Sequence, residues 1–191
     1  AEKGYYAVSG CGGNIAWHTE NDTIEIADKT IMVRDIKVYL GSVMRIANAD
    51  VLPFDWRDTV KEFQETIDKY QKAAGNTFSL APSRAEADAL LASLEKLYGT
   101  IEQKRVPAAR ANTAIKDLMR VLIPINHTRQ ARFRHDPATP VPPLPTIATA
   151  TELTQVDGAM LGFAKTQLTR GQNRLVAALR EAKRIADAVV A

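Results

Sequence analysis

Apolar residues recur every three or four positions along most of this chain, which is the spacing of one face of an α-helix. The first such run consists of Met32, Ile36, Tyr39, Leu40, Val43, Met44 and Ala47. Pro53 then prevents a helix from continuing, and Asp55 is placed to cap a second helix with its carboxylate. Gly75 is the predicted end of that helix, whose apolar face carries Val60, Phe63, Ile67 and Tyr70.

Two further helices are predicted before residue 124. Ser83 and Glu86 have the spacing of a capping box, in which each side chain accepts a hydrogen bond from the other residue's backbone N–H, and they mark the predicted start of the third helix. Pro107 separates this helix from a fourth, which is predicted to end near Pro124. The apolar face of the fourth helix is Ala111, Ala114, Ile115, Leu118, Met119 and Leu122.

Proline interrupts the helical pattern after the fourth helix. Residues 124–148 are predicted to be irregular, with a Pro-rich loop at 136–146 that favours extended backbone. A last helix is predicted after Thr151, with Gly158 and Gly162 in its weaker first part, where we interpret their spacing as ordinary packing. The apolar face of this helix, called its seam, is the stripe that would pack against the other helices, and it consists of Leu175, Leu179, Ala182, Ala186 and Val189.

The first 23 residues have a different pattern, with short apolar runs at 5–8 and 14–17 that are candidate buried strands. Because two isolated strands do not make a stable sheet, we interpret them as edge strands of a larger structure. The predicted fold class is therefore mainly α with a short non-helical N-terminal segment.

Composition limits the possible functional classes. An apolar fraction of 46% is too high for a disordered chain. The 25 Lys and Arg residues are interspersed with 22 Asp and Glu residues, so the net charge of +3 gives no field strong enough to indicate binding to nucleic acid or to a membrane surface. Cys11 is the sole cysteine and cannot form an intrachain disulfide. No apolar run reaches the roughly 18–20 residues that span a bilayer.

His18 is the strongest candidate for a component of a catalytic site. It follows a short apolar run that would hold it rigidly, and a neutral imidazole suits zinc. Asp22 is close enough in sequence to orient the imidazole through a hydrogen bond, as metal-bound histidines usually require. Two alternatives stay open, because a lone histidine is often a surface or core residue and Asp22 can serve as a turn or capping acid.

A second candidate site is the basic segment 126–136, in which two histidines and three arginines flank one aromatic residue. Guanidinium groups bind carboxylates and phosphates in bidentate fashion, so Arg132, Arg134 and His135 are candidates for contact with an anionic substrate group. The alternative is a solvated basic loop that contacts a neighbouring domain.

Several of these motifs resemble those of a known family. Trp17-His18-Thr19, with Asp22 shortly after and a helix following, is similar to the last zinc-ligand segment of co-catalytic zinc exopeptidases. The residues Val51 to Asp55 resemble the entrance to the helical domain of one branch, the glutamate carboxypeptidase II and transferrin receptor family. The loop at 131–135 and the C-terminal helix resemble the corresponding parts of the same family.

The resemblance implies that this is the C-terminal part of such an exopeptidase. Residues 51–191 would form a four-helix-bundle-like dimerisation domain of transferrin receptor type, and residues 1–50 a remnant of the α/β zinc peptidase domain. The family's centre holds two zinc ions, and only His18 matches one of its ligands. The bridging aspartate, the other ligands and the general-base glutamate have no counterpart here, so we expect the fragment alone to bind no zinc and to hydrolyse no peptide.

The resemblance also implies partners. Family members form homodimers through this domain, and we expect the contact on the exposed side of residues 153–190, with the missing peptidase domain as a second partner. In the carboxypeptidase branch a lysine-tyrosine pair binds the terminal glutamate of the substrate. Pro137 to Pro145 stand in its place here, so a preference for acidic C-terminal residues does not follow from the resemblance. The parent could be an aminopeptidase or a carboxypeptidase. The alternatives are a non-catalytic protein-binding module of transferrin receptor type and an unrelated helical scaffold.

Overall fold

The structure is a computed structural model. It describes residues 19–21, 23–131, 133–136 and 140–190. Both predicted strands, at residues 5–8 and 14–17, lie outside the described residues.

Five α-helices account for most of this described part. They are α1 (Lys29–Ala47), α2 (Trp56–Ala74), α3 (Ala81–Glu102), α4 (Ala108–His127) and α5 (Gly158–Val190). Short 3-10 helices span Ile24–Ile26 and Ala148–Gln155, and no β-strand occurs among the described residues. The prediction of a mainly helical fold is therefore confirmed.

Contacts along the chain divide it into two compact units, Ala1–Ala49 and Asp50–Ala191. In the second unit, α3 packs against α2 and α5, and α4 packs against α5. The second 3-10 helix lies against α2. These elements share one hydrophobic core, to which every helix of the unit contributes leucine, isoleucine or alanine side chains.

The first unit contains α1, which begins at a side-chain cap. One carboxylate oxygen of Asp28, Oδ1, accepts hydrogen bonds from the backbone N–H groups of Thr30 (2.7 Å) and Ile31 (3.1 Å). The predicted apolar run is helical, but no residue of α1 is buried. Its large apolar side chains are all exposed, namely Ile31, Met32, Val33, Ile36, Val38, Tyr39, Leu40, Val43, Met44 and Ile46.

Both predicted ends of α2 are confirmed. Asp55 caps its start, with Oδ1 accepting a hydrogen bond from the backbone N–H of Arg57 at 2.9 Å. Gly75 ends it with a φ of +55°, a left-handed conformation that suits a residue without Cβ, and its N–H donates to the carbonyl of Gln71 at 3.0 Å. The predicted apolar face is buried.

The predicted capping box at Ser83 and Glu86 is wrong. The helix α3 begins earlier, at Ala81. Proline is favoured in the first turn of a helix because the N–H groups there have no partner within the helix, and Pro82 occupies this position. Leu80, just before the helix, is fully buried and also fixes its start. Ser83 therefore lies inside the helix, fully buried, and its hydroxyl has no hydrogen-bond partner.

The fourth helix runs past its predicted end. Pro124 lies within the last turn of α4, which continues to His127. A proline this close to the end removes one backbone hydrogen bond without stopping the helix. The carbonyl of Pro124 then accepts hydrogen bonds from both the N–H (2.9 Å) and the hydroxyl (2.7 Å) of Thr128, which closes the turn.

The last helix differs from its prediction at the N-terminal end. A 3-10 helix occupies Ala148–Gln155, and α5 begins only at Gly158. Gly158 and Gly162 are exposed, and a Cβ on either would meet no atom within 4 Å, so the predicted packing role is not found. Four of the five predicted seam residues are buried, namely Leu175, Leu179, Ala182 and Ala186.

The segment before α2 is held to the helical unit by hydrogen bonds. The Tyr98 hydroxyl donates to the carbonyl of Phe54 (2.7 Å) and accepts from the backbone N–H of Trp56 (3.1 Å). The indole N–H of Trp56 donates to the carbonyl of Ile115 at 3.1 Å. The Asn112 side chain adds bonds to the backbone of residues 50 and 52. The start of α2 is thereby tied to α3 and α4.

Candidate functional site

Three of the predicted site residues, His18, Asp22 and Arg132, lie outside the described residues. Arg134 and His135 are described, and both are exposed in the loop that follows α4. Across the described ranges, no group of three or more His, Cys, Asp and Glu side chains could hold a metal ion.

Asp136 organises the loop after α4. One of its carboxylate oxygens accepts a hydrogen bond from the backbone N–H of Arg129 (3.0 Å), and the other accepts from that of Gln130 (3.1 Å). Such hydrogen bonds to a carboxylate are among the stronger ones in proteins. These two bonds hold the loop in a closed turn. Asp136 is the only acidic residue in the sequence of residues 128–136.

Arg174 on α5 holds the same loop from the other side. One terminal nitrogen of its guanidinium donates to the carbonyls of Arg129 (3.0 Å) and Gln130 (2.9 Å), and the other donates to the Thr128 hydroxyl (3.2 Å). The planar fork suits this arrangement of several acceptors. Because the acceptors are neutral, the positive charge of Arg174 stays uncompensated by them.

A cleft of about 800 Å³ opens beside the loop. It is lined by Arg120, Arg134, Asp136 and Arg174 together with apolar and amide groups of residues 124–131. Arg120 has a carboxylate partner, Asp117, at 2.6 Å. Arg134 has no ion pair among the described residues. The cleft is therefore electropositive and large enough for the end of a peptide or a small anionic molecule.

The sequence identified only one side of this cleft. Arg134 was a candidate because it stands in a dense basic segment. Arg174 was missed because it lies in an unremarkable stretch of α5, 38 to 46 positions along the chain from residues 128–136. A local pattern cannot reveal that α4 and α5 pack together and bring these two arginines to one surface.

The largest electrostatic cluster of the second unit is structural. The guanidinium of Arg57 bonds Asp55 (2.6 Å), Glu102 (3.1 Å) and Glu95 (3.3 Å) and lies 4.9 Å from the centre of the Tyr98 ring. Burial opposes ionisation of Asp55, but hydrogen bonds from Arg57 outweigh it and lower the pKa of the carboxyl. The hydrogen bond that Arg57 donates to Asp55 raises the pKa of Arg57, so this pair stays ionised and offers no proton for chemistry.

No helix in the described part of the chain combines the length and the hydropathy that a membrane span needs. Comparison of the chain with protein-family models, with curated proteins and with solved structures finds no match.

Proposed function

We propose that this chain is the C-terminal part of a zinc-dependent exopeptidase similar to glutamate carboxypeptidase II. Residues 51–191 would be its helical dimerisation domain, and residues 1–50 the end of its peptidase domain. The proposal rests on the order of four short motifs, from the segment of His18 to the C-terminal helix, and the helical fold of the second unit is compatible with it.

The exposed face of α1 is the structural observation that supports a larger parent protein. Met32, Ile36, Tyr39 and Val43 recur at steps of four and three and lie on one side of the helix, in contact with water. Contiguous apolar patches of this kind mark interaction surfaces, because each Å² removed from water contributes roughly 25 cal/mol. We propose that the peptidase domain of the same polypeptide covers this face.

The catalytic centre would lie mostly in the missing domain. His18 would supply one zinc ligand, and Asp22 would orient its imidazole. The remaining ligands would come from the peptidase domain of the parent. Since catalytic zinc typically takes about three protein ligands, we expect this chain alone to be inactive.

Zinc content and peptide hydrolysis of the full-length parent test the proposal. The variant His18→Ala should bind less zinc than the wild type and lose hydrolysis, because a two-metal centre needs both ions in place. Glu20→Gln, a change at an exposed neighbour of His18, should leave both properties unchanged. Unaltered zinc content in His18→Ala, or an upstream reading frame without the other ligands, would contradict the proposal.

Homodimerisation through α5 is the second part of the proposal. Met160 and Phe163 are 63% and 67% exposed on the N-terminal part of this helix, within the surface predicted to form the contact. Introducing a charge there, as in Phe163→Glu, should shift sedimentation of the protein from dimer to monomer. Ile123→Glu, at an apolar residue that is 43% exposed on α4 and outside residues 153–190, is the comparison. A wild-type monomer at high concentration would exclude this role.

Arg132, Arg134 and His135 are proposed to contact the substrate or the peptidase domain. The cleft beside the loop supports this, because Arg134 contributes a charge that no described carboxylate neutralises. Replacing Arg132 and Arg134 by Gln in the full-length parent should raise KM more than it lowers kcat, as expected for loss of ground-state binding. An unchanged KM would remove the loop from the proposed site.

A non-catalytic module of transferrin receptor type is the second candidate. The replacement of the family's lysine-tyrosine pair by the Pro-rich segment favours it, since a protein-binding domain has no need of that pair. A full-length parent that dimerises but binds no zinc would support this candidate over the enzyme.

A further inference from the structure

A cavity of about 270 Å³ lies between α5 and the segment that leads into the second 3-10 helix. It is lined by Arg129, Arg170 and Arg174 and by two threonines, Thr146 and Thr149. None of its described lining residues is acidic. Three arginines therefore border a small space whose other polar lining residues are neutral.

These three arginines, Arg129 in the loop after α4 and Arg170 and Arg174 on α5, differ from two further arginines of α5. Arg180 pairs with Glu86 at 2.7 Å and Arg184 pairs with Glu181 at 2.5 Å, so the C-terminal half of α5 neutralises its guanidinium groups. The arginines that line the cavity form no ion pair within the part of the chain that the structure describes. Because an arginine stays protonated at any physiological pH, the cavity keeps its positive charge.

The spacing of two of these charges is unfavourable without a ligand. Arg170 and Arg174 are four positions apart on α5, where like charges lie side by side and destabilise a helix. Arg174 donates to the carbonyls of Arg129 and Gln130, which carry only partial negative charge. An anion in the cavity would therefore relieve a repulsion as well as form new hydrogen bonds.

A close backbone approach brings the threonines to the arginines. A Cβ on Gly171 would lie 1.9 Å from the carbonyl oxygen of Thr146, so only glycine allows the two segments to come so near. Gly171 stands between Arg170 and Arg174 in the sequence. The Thr146 hydroxyl donates to the Gly171 carbonyl at 3.5 Å, so Thr149 is the threonine of the cavity lining that is left to donate a hydrogen bond to an anion.

We propose that this cavity binds a phosphate group. Guanidinium groups bind phosphate through paired hydrogen bonds, so Arg129 and Arg170 can each donate two, and the Thr149 hydroxyl can add one, which is more than the two oxygens of one carboxylate readily accept. A tetrahedral anion with several oxygens uses them better. The ligand is either free inorganic phosphate or the phosphate group of a small phosphorylated molecule. This assignment is independent of the zinc exopeptidase proposal, because it concerns residues of the second unit alone.

Isothermal titration of the 191-residue chain with inorganic phosphate, at constant ionic strength maintained with chloride, tests the proposal. We expect saturable binding that weakens about tenfold in Arg170→Gln, the loss typical of one charge-assisted hydrogen bond. Arg184→Gln, on the same helix but already paired with a carboxylate, should leave the affinity unchanged. Arg174 is avoided because it also holds the loop after α4.

Two comparisons complete the test. Circular dichroism should show the same helical content in both variants and the wild type, so that a change in affinity reports on the cavity. Acetate at matched concentration should bind more weakly than phosphate.

Glycerol phosphate distinguishes the two sources of the phosphate group. If it binds more tightly than inorganic phosphate, the site is assigned to a phosphorylated small molecule, and the reverse order assigns it to the free anion. Absence of saturable phosphate binding, equal binding of acetate, or equal weakening by Arg184→Gln would overturn the proposal.

Discussion

The hydroxyl of Tyr98 accepts a hydrogen bond from the backbone N–H of Trp56, 3.1 Å away, and donates one to the carbonyl of Phe54 at 2.7 Å. Tyr98 is 7% exposed, so water cannot replace these bonds if the hydroxyl is removed. A single side chain on α3 thus satisfies two backbone groups at the start of α2.

Removal of this hydroxyl is expected to destabilise the second unit. Tyr98→Phe leaves a buried N–H and a partly buried carbonyl without their partner, which costs about 1–3 kcal/mol. Urea denaturation followed by circular dichroism measures the loss. Tyr39→Phe, at a tyrosine that is 74% exposed, is the matched control and should change the free energy of unfolding by less than about 0.5 kcal/mol.

Alkaline pH should destabilise the fold through the same residue. Burial raises the pKa of Tyr98 to about 12, whereas a tyrosine in the unfolded chain has a pKa near 10. Stability is therefore unaffected by this group below about pH 10 and falls as pH rises towards 12, because the unfolded state loses the proton first. The expected loss across that window is roughly 3 kcal/mol.

Tyr98→Phe should remove most of this dependence. A smaller slope is expected to persist, because burial also raises the pKa of Tyr70. Denaturation curves at pH 9, 10 and 11 compare the two proteins. Parallel stability profiles for the wild type and Tyr98→Phe would show that another group is responsible.

Two glycines of α5 are expected to respond in opposite directions to the same change. Gly171→Ala places a Cβ 1.9 Å from the carbonyl oxygen of Thr146, so the helix and the segment at Thr146 must separate, at a cost of about 2 kcal/mol or more. Gly162→Ala meets no atom within 4 Å and should stabilise the protein by roughly 0.5–1 kcal/mol, since alanine has the higher helix propensity. Thermal unfolding of both variants provides the comparison.

Ser83→Ala is expected to be harmless or stabilising. Its hydroxyl is fully buried without a partner, so replacing it by a methyl group removes an unfavourable interaction of about 1 kcal/mol. Ser93 is also buried on α3, but its hydroxyl has a partner in Asp187, whose pKa is lowered first by a hydrogen bond from Lys183 and then by one from Ser93. Ser93→Ala should therefore destabilise, and a loss of stability in Ser83→Ala would show that its hydroxyl does have a partner.

Local signals in the sequence were enough to predict several features of the fold. The cap at Asp55 and the terminator at Gly75 are confirmed because both depend on the chemistry of one residue and its immediate backbone. The buried seam of α5 from Leu175 to Ala186 is confirmed because helical spacing alone decides which residues share a face. These features need no knowledge of the rest of the chain.

Predictions that depended on tertiary context were less accurate. The start of α3 was misplaced because burial of Leu80 and the position of Pro82 override the capping pattern at Ser83. The contact between Arg174 and the loop after α4 was missed because it joins residues more than 40 positions apart. The apolar run of α1 predicted a helix correctly, but no residue of this helix is buried. Helical spacing shows which residues share a face, and it does not show which surface would cover that face.

The exposed side chains of α1 also determine how the 191-residue chain will behave in the test tube. Dyes that fluoresce on apolar surfaces should brighten in its native state, before any denaturant is added. Salts that strengthen hydrophobic association, such as ammonium sulfate, should make it self-associate at lower concentrations than a variant with glutamate at Ile36 and Val43. Handling the wild-type chain will accordingly call for mild detergent or low ionic strength.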